Sequence, residues 1–535
     1  MESSSRSSPT VTVRSDDERP EAPSAEPAVS APPARSVVQR CQRRGLLAGL
    51  CIIPETEIGT NKTRREKWAI TAIVALCGAV GPFGSAIILP VLGSIAESYE
   101  TTPTVSSLSL SIYMLAMAIF PLWWSSSSEM FGRRSIYIIS NAGLMVFGML
   151  SAVSPTISMF LVMRFLTGGV ASAALSVGAG TIADIWEPKE RGTAMTYYLL
   201  GPLCGPLIAP LVGGGLSQGL GWRSTLWFLG IYGYKSMSDE FIMVMLVIFT
   251  LPETSAPLAR RSQTIPESAT FQVPGEERMQ KWSGKVITAR LSSYMAMMKA
   301  IFIDPLRLLA YLRFPPVALT VYVQSVSFGA LYFLNISLEY TFSAEPYKFE
   351  TWAIGFVFAP ASLGFLVAGL VGGPWMDRIM HRHALKKKRY GADGKLVYLP
   401  EDRIRENVWL GLVLYPVMMI WYGWAAQYHL MWAIVLAPCL LLGLASFLLI
   451  SVSTTMLTEF MPGRSASGVA INNLCRNTIA FAASLATITW LESIGNGWGM
   501  TVVSIWLLSL AVVVLLMYKY GTRWRKEMNQ HLKGA

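Results

Sequence analysis

The chain has 535 residues, of which 52% are hydrophobic and only 14% are charged, and its formal net charge is +11. A soluble globular protein has about a quarter charged residues. The composition therefore excludes an ordinary soluble protein, and long apolar runs between short polar loops indicate an integral membrane protein. The positive charge gathers in alternate loops, which is typical of membrane topology. We therefore expect a lipid bilayer and no nucleic acid as partner.

The chain opens with a polar tail and continues with apolar runs. Residues 1–67 are rich in Ser, Pro, Arg and Glu, which predicts disorder. Because about 20 apolar residues cross a bilayer as a helix, the later runs predict membrane spans. The twelve predicted spans are 68–92, 105–124, 135–153, 157–182, 192–216, 222–251, 315–338, 351–372, 408–427, 430–454, 466–490 and 501–518.

The order of spans and loops predicts an all-α membrane protein with twelve helices in two six-helix bundles. The first bundle is 68–251, the central loop 252–314, the second bundle 315–518 and the C-terminal tail 519–535. Lys and Arg gather in alternate loops, with Arg223 and Lys348 as the main exceptions, so both termini and the central loop are expected in the cytoplasm. Apolar residues at helical spacing in 290–309 predict a surface helix in the central loop.

The sixth predicted span is interrupted by the polar sequence KSMSDE at 235–240. Charges at mid-depth are costly unless they face a cavity or a partner. One interpretation is a broken helix at a binding site. The interpretation that we favour is an extra segment in the gene product.

A charged motif occurs once in each half of the chain, after the second apolar run. The sequence PLWWSSSSEMFGRRSIY occupies 121–137, and a weaker copy, GGPWMDR, occupies 372–378. Each copy has an acid four residues after a small residue, which indicates two similar halves related by a pseudo-two-fold axis. The polar positions are Glu129, Gly132, Arg133 and Arg134 in the first copy, and Asp377 and Arg378 in the second.

The fifth predicted span contains small residues and prolines at a spacing of four, which forms a stripe on one helix face. Small residues let another helix approach closely, and prolines permit a bend. Close packing of two helices explains the stripe without any further role. The stripe comprises Gly201, Pro202, Gly205, Pro206, Pro210, Gly213 and Gly214.

Two arginines lie inside apolar spans. Burying Arg164 costs roughly 3 kcal/mol on insertion scales, so its side chain is expected to face the protein interior and find partners. A structural hydrogen bond to backbone carbonyls is one explanation, and it is the one that we keep for Arg476. The first span contains no carboxylate, and Asp184 is the nearest candidate for a proton-binding acid.

The seventh span contains aromatic and amide side chains suited to an amphipathic or cationic ligand in a cavity between the bundles. Tyrosines near the ends of the span could instead anchor the helix at the membrane interface. The candidate substrate-binding residues are Tyr322, Gln324, Tyr332 and Asn335.

Taken together, several motifs resemble the major facilitator superfamily, and within it the fungal drug:proton antiporters of the multidrug-resistance branch. The resemblance covers about 68 to the C-terminus. Ser125 and Glu129 stand where the superfamily usually has Gly and Asp, and Ala209 replaces a Gly. The motifs are PLWWSSSSEMFGRR, RFLTG at 164–168, AGTIADIWEPKERG, GPLCGPLIAPLVGG at 201–214, GWR at 221–223, LPET at 251–254 and LPEDRIR at 399–405.

The resemblance implies proton-coupled efflux of small organic molecules, such as drugs, weak acids, polyamines or secondary metabolites, across the plasma membrane. It implies a role for Arg164 in proton coupling and a sealing role for the fifth span. The alternatives are an uptake carrier for a sugar or other nutrient, and a non-transporting membrane sensor. We expect a monomer that is not an enzyme and needs no cofactor or metal, because no catalytic or metal-ligand cluster lies within the spans.

The resemblance also implies a cytoplasmic latch, in which Arg133 bridges Glu129 and Asp184 and Glu129 faces the start of the eleventh span near Ser465. An i,i+4 contact between Glu129 and Arg133 is expected if the intervening loop is helical. The latch would stabilise the outward-open state. In the simpler interpretation, Arg133 and Arg134 only fix the membrane topology.

Overall fold

The apolar runs fold into helices, and several of these helices begin at capping residues. The structure is a computed structural model that describes residues 62–186, 188–230, 245, 247–252, 304–390, 399, 404–460 and 465–533. At the first helix, Thr63 and Glu66 form a capping box in which each side chain accepts a hydrogen bond from the other's backbone N–H. Thr102 and Thr156 cap two later helices in the simpler way, through one side-chain oxygen.

The first half consists of seven helices and a short 3₁₀ turn, Leu89–Val91, among the described residues. The helices are α1 (Arg64–Ala86), α2 (Leu92–Ser98), α3 (Pro103–Phe131), α4 (Arg133–Ala152), α5 (Ile157–Ile185), α6 (Pro188–Leu220) and α7 (Arg223–Gly230). The second half begins with a 3₁₀ helix, Asp304–Arg313. Its helices are α8 (Pro315–Ser343), α9 (Thr351–Val357), α10 (Ala359–Lys386), α11 (Glu406–Gln427), α12 (Trp432–Phe460) and α13 (Ser465–Lys533).

Nine segments of the described chain are long and apolar enough to cross a membrane. One of them, Gly468–Met528, contains both the eleventh and the twelfth predicted spans, which meet at a break in α13 where Gly495 has φ 77° and ψ 169°. The fifth predicted span is α6. The sixth begins in α7 and crosses residues 231–244, which lie outside the described residues together with the segment 235–240.

Several helices extend well beyond the predicted spans. Helix α3 continues from 124 to Phe131, α10 from 372 to Lys386 and α13 from 518 to Lys533. In α3 the serine hydroxyls donate to carbonyls of the same helix, from Ser126 to Leu122 at 3.4 Å and from Ser128 to Ser125 at 2.7 Å. These serine hydroxyls therefore find acceptors within the helix, and the polar residues after 124 remain helical instead of forming a loop.

Several other predictions also lie outside the described residues: the tail up to residue 61, the central loop from 253 to 303 and the motif residues 400–403. The predicted surface helix 290–309 reaches the described chain only in its last residues, which belong to the 3₁₀ helix. The domain boundaries therefore stay predictions.

Each half packs around its own helices, and a few helices join the halves. In the first half α1 packs on α5 and α6, and α3 on α5; in the second, α8 and α11 pack on α13, and α10 on α12. Between the halves α3 contacts α13, and α6 contacts α9 and α10. We call the end of the bundles where residues 99–102 join α2 to α3 the loop end. The opposite end, where α3 meets α4, is the motif end.

Candidate functional site

At the motif end a single residue, Gly132, separates α3 from α4. Its φ of 91° and ψ of 152° are not helical, so Glu129 and Arg133 do not lie on one continuous helix. The condition for a helical i,i+4 contact between them is therefore not met, and the bridge from Arg133 to Glu129 stays a prediction. The Glu129 side chain lies outside the described residues, and so does that of Ser465.

Arg133 turns towards α5. Its Nε lies 3.3 Å from Oδ2 of Asp184, and its Nη1 donates to the hydroxyl of Ser128 at 2.5 Å. The structure thus brings together two of the predicted latch residues. The contact lies within the first half of the protein and needs no residue of the second half.

Gly180 makes room for this arginine. A Cβ placed on Gly180 would lie 2.7 Å from Cζ of Arg133, closer than real Cβ contacts come. Gly180 precedes Asp184 by one helical turn, so both face the same guanidinium. The sequence analysis did not select Gly180, although the four-residue spacing from Asp184 is a signal that could have found it.

Arg134 has a different environment from Arg133. It is fully buried, and its two terminal nitrogens donate to the carbonyls of Ile248 and Leu251, both at 2.6 Å. The last carbonyls of a helix lack partners within the helix and carry partial negative charge. Arg134 thus caps the end of the sixth span, in addition to any effect on topology.

The second copy of the motif is arranged differently from the first. Residues 372–378 lie inside α10, and Arg378 is exposed. The side chain of Asp377 lies outside the described residues. The first copy begins in α3, the second long helix of its half, and continues into α4, whereas the second copy lies wholly inside α10, the corresponding helix of the other half.

Arg164 lies in α5 and is fully buried. It donates through Nη2 to the carbonyl of Gly84 at 3.0 Å, and its Cζ lies 4.4 Å from the ring centroid of Tyr113. Gly84 belongs to the last turn of α1, so the arginine satisfies a free helix-end carbonyl. Nε and Nη1 of Arg164 have no hydrogen-bond partner among the described residues.

The four predicted substrate-binding residues of α8 do not form one group. Tyr322 bonds to Ser509 at 3.0 Å and Gln324 to Thr454 at 3.1 Å, both within the second half. Tyr332 bonds across to the first half, where its hydroxyl lies 3.3 Å from the hydroxyl of Ser85. Asn335, the fourth, is half-buried. Tyr332 therefore has the most direct geometry for a site between the halves.

Glu339 follows the four candidate residues at the outer end of the seventh predicted span and was given no role from the sequence. It lies near the loop end of α8, is 4% exposed, and accepts a hydrogen bond from the backbone N–H of Gly93 at 3.1 Å. This contact joins α8 to α2. A carboxylate inside an apolar span was the available signal, because ionisable groups are rare there.

Other hydrogen bonds also join the halves between mid-helix and the loop end. Gln218 donates to Glu350 at 3.2 Å, at the loop end. Closer to the middle, the Ser111 and Ser484 hydroxyls are 2.6 Å apart. Nearest the middle of the helices, Asn477 donates to the carbonyl of Met117 at 3.1 Å.

The stripe of α6 packs on α1 at backbone distance. A Cβ on Gly201 would lie 1.9 Å from the carbonyl oxygen of Ala75, and one on Gly213 would lie 2.1 Å from that of Ile87. Gly205 faces the same helix, and a Cβ placed on it would lie 2.9 Å from the backbone nitrogen of Phe83. Glycine is therefore required at these positions for the two helices to lie so close.

Gly214 faces the other half of the protein. A Cβ on it would lie 2.8 Å from the carbonyl oxygen of Thr351, and one on Gly355 would lie 2.7 Å from that of Pro210. The small residues of the stripe thus allow α6 to pack closely on two helices, α1 and α9. Helix α6 remains one helix through Pro202, Pro206 and Pro210.

The class of the protein follows from its similarity to known families. The family model described as Major Facilitator Superfamily matches residues 74–485, and the chain belongs to this superfamily. It is a multi-pass membrane transporter, not an enzyme, and members of the superfamily bind small-molecule substrates. The predicted fold class and the resemblance to the antiporter branch are confirmed.

Named relatives are fungal. The chain is 30% identical to the MFS antiporter QDR3 of Candida albicans, over 91% of this chain and 82% of that protein. It is 28% identical to quinidine resistance protein 3 of Saccharomyces cerevisiae, over 92% and 87%. Among solved structures, the partially occluded inward-open xylose transporter XylE from E. coli superposes with a TM-score of 0.58 at 14% identity, over 85% and 98% of the chains.

Proposed function

We propose that this protein exports small organic molecules across the plasma membrane in exchange for protons, by alternating access between its two halves. The observation that carries the proposal is the double packing of α6, against α1 through Gly201 and Gly213 and against α9 through Gly214. A helix without side-chain volume at both interfaces leaves little space for a leak path while the halves rock. The similarity to a protein named as an antiporter supports the same direction of transport.

The contacts between the halves define the proposed state. The positive-inside rule puts the motif end in the cytoplasm and the loop end outside. Gly93 bonds to Glu339, and Gln218 to Glu350, near the loop end. With this orientation, these bonds support the proposal of a conformation closed to the outside, and opening that side would require them to break.

At the motif end we propose the reciprocal closure. Arg133 and Asp184 form a fixed unit within the first half, held 3.3 Å apart. Because this pair exists without the second half, the part of the latch that changes between states is the approach of Glu129 to the start of α13. Contact there would favour the outward-open state.

Proton coupling is assigned to Arg164 and Glu339. Glu339 is a buried carboxylate at the contact between the halves, so a change in its charge alters the strength of that contact. Arg164 anchors the end of α1, the same span in which Gly93 lies further along. Movement of the span 64–98 would therefore alter both the bond from Arg164 to Gly84 and the bond from Gly93 to Glu339.

The direct test uses inside-out vesicles with an acid interior, made from cells that overproduce the protein. Adding quinidine or spermidine outside should make the vesicle interior less acidic, faster than in vesicles without the protein. Proton-coupled uptake of glucose would instead make the interior more acidic when glucose is added. A response equal to that of the control vesicles with every probe would contradict transport.

A further inference from the structure

A second arginine lies close to the contact between the halves. Arg476 of α13 is half-buried, and its Cζ lies 4.4 Å from the ring centroid of Phe328. The Phe328 and Tyr332 rings are 5.0 Å apart, and Tyr332 interacts electrostatically with Arg476. Through its bond to Ser85, Tyr332 also contacts the first half. Arg476 therefore borders the interface at mid-depth.

Within the described part of the chain, this guanidinium has an aromatic neighbour and no acidic partner. Its Cζ lies over the ring of Phe328, as that of Arg164 lies over the ring of Tyr113. Nε of Arg476 is buried and has no hydrogen-bond partner in the described chain. Arg164 has the helix-end carbonyl of Gly84 as an acceptor, whereas no hydrogen bond to a helix end is seen for Arg476 in the described chain. A cation in the position of Arg476 is costly inside a membrane unless an anion joins it.

A second unpartnered group lies beside the arginine. Asn472 precedes Arg476 by one helical turn and is 2% exposed, and its Oδ1 has no hydrogen-bond partner among the described residues. Asn477, the residue after Arg476, reaches the first half through Met117, so this part of α13 faces the interface. The half-buried ring of Phe328 completes a surface with one cation, one amide and one aromatic face.

We propose that Arg476, Asn472 and Phe328 form a binding site for an organic anion with a flat apolar body, of the aryl carboxylate class. The guanidinium pairs with the carboxylate in the planar geometry that arginine favours, and the ligand ring packs on Phe328. The proposal rests on the proposed export function and names the substrate class. It differs from the cationic ligand that the aromatic and amide residues of α8 suggested.

The test compares three probes of similar shape on the full-length protein in lipid nanodiscs: benzoate, benzamide and benzylamine. Binding is measured by calorimetry at constant pH. We expect benzoate to bind roughly 10-fold more tightly than benzamide, a difference of about 1.4 kcal/mol, because hydrogen bonds between charged groups are stronger than those to a neutral amide. Arg476→Gln should remove this preference. Arg523→Gln is the matched control, since Arg523 lies on the same helix, exposed and paired with Glu527.

Additional variants keep the test decisive if Arg476→Gln does not fold. Arg476→Lys retains the charge but loses the planar fork, so it should weaken benzoate binding while leaving benzamide unchanged. Phe328→Leu should weaken both probes. Equal affinity for benzoate and benzamide, or tighter binding of benzylamine, would overturn the proposal. Competition by sulfate as strong as by benzoate would show an inorganic-anion site and would also overturn it.

The outcome is separable from that of the proposed function. Binding in nanodiscs needs no transport, so a benzoate preference lost in Arg476→Gln would support the site even if vesicles export nothing. Export of quinidine without any benzoate preference would reject the site and leave the export function intact.

Discussion

The backbone contact between α6 and α1 gives the sharpest prediction. In Gly201→Ala the new Cβ would lie 1.9 Å from the carbonyl oxygen of Ala75, where ordinary contacts begin at 3.4 Å. The deficit is 3.4 − 1.9 = 1.5 Å. Both atoms belong to helix backbones, so no side-chain rotation relieves the clash and α1 must move away from α6. Overpacking typically costs about 1–3 kcal/mol, and we expect the upper end of this range.

The measurement is thermal unfolding of the purified protein in detergent, followed by the loss of the monodisperse fraction. Gly201→Ala should unfold several degrees below the wild type. Gly215→Ala is the matched control, because this glycine lies on the same helix and its Cβ would meet nothing within 4 Å. Equal stability of the two variants would refute the reasoning, since it would mean that α1 and α6 are not in backbone contact.

Three further predictions concern the transport cycle. Arg133→Lys keeps the charge but loses the planar guanidinium that contacts Asp184, so the variant should reach the membrane in normal amount yet export poorly. Adding Asp184→Asn should cause no further loss of export. Full export by Arg133→Lys would leave Arg133 only a topological role. Gly214→Ala crowds Thr351 across the interface, so labelling of cysteines introduced at the loop end should become faster than in Gly215→Ala, and equal rates would contradict this. Glu339→Gln should fold but export independently of the pH gradient, whereas an unchanged dependence would exclude Glu339 from proton coupling.

The spans could be predicted because apolar length depends on the local sequence alone. The ends of the spans could not, because they depend on how polar side chains are satisfied. Ser126 and Ser128 bond to carbonyls of their own helix, so α3 continues where a loop was expected. Conversely, Gly132 ends the helix through a backbone conformation that its sequence context allowed but did not require.

For the candidate site, the resemblance named Arg133 and Asp184 together, and the structure brings them together. It gave no indication that Arg134 reaches Ile248 and Leu251, because those carbonyls are far away in the sequence. Gly93 and Glu339 meet for a similarly non-local reason: their contact depends on how the two halves dock. Patterns within one helix therefore found the candidate residues, while their partners required the tertiary structure.

Arg134, Arg164 and Arg476 are buried or half-buried; they face the same energetic problem and solve it differently. Arg134 caps the carbonyls at the end of the sixth span, and Arg164 caps the end of α1 through Gly84. A helix end offers a partial negative charge, so neither arginine needs a carboxylate. Arg476 lies in the middle of a continuous stretch of α13 and has a ring, not a helix end, as its described neighbour. Backbone carbonyls therefore stabilise Arg134 and Arg164, whereas Arg476 is the arginine that we propose binds an anionic ligand.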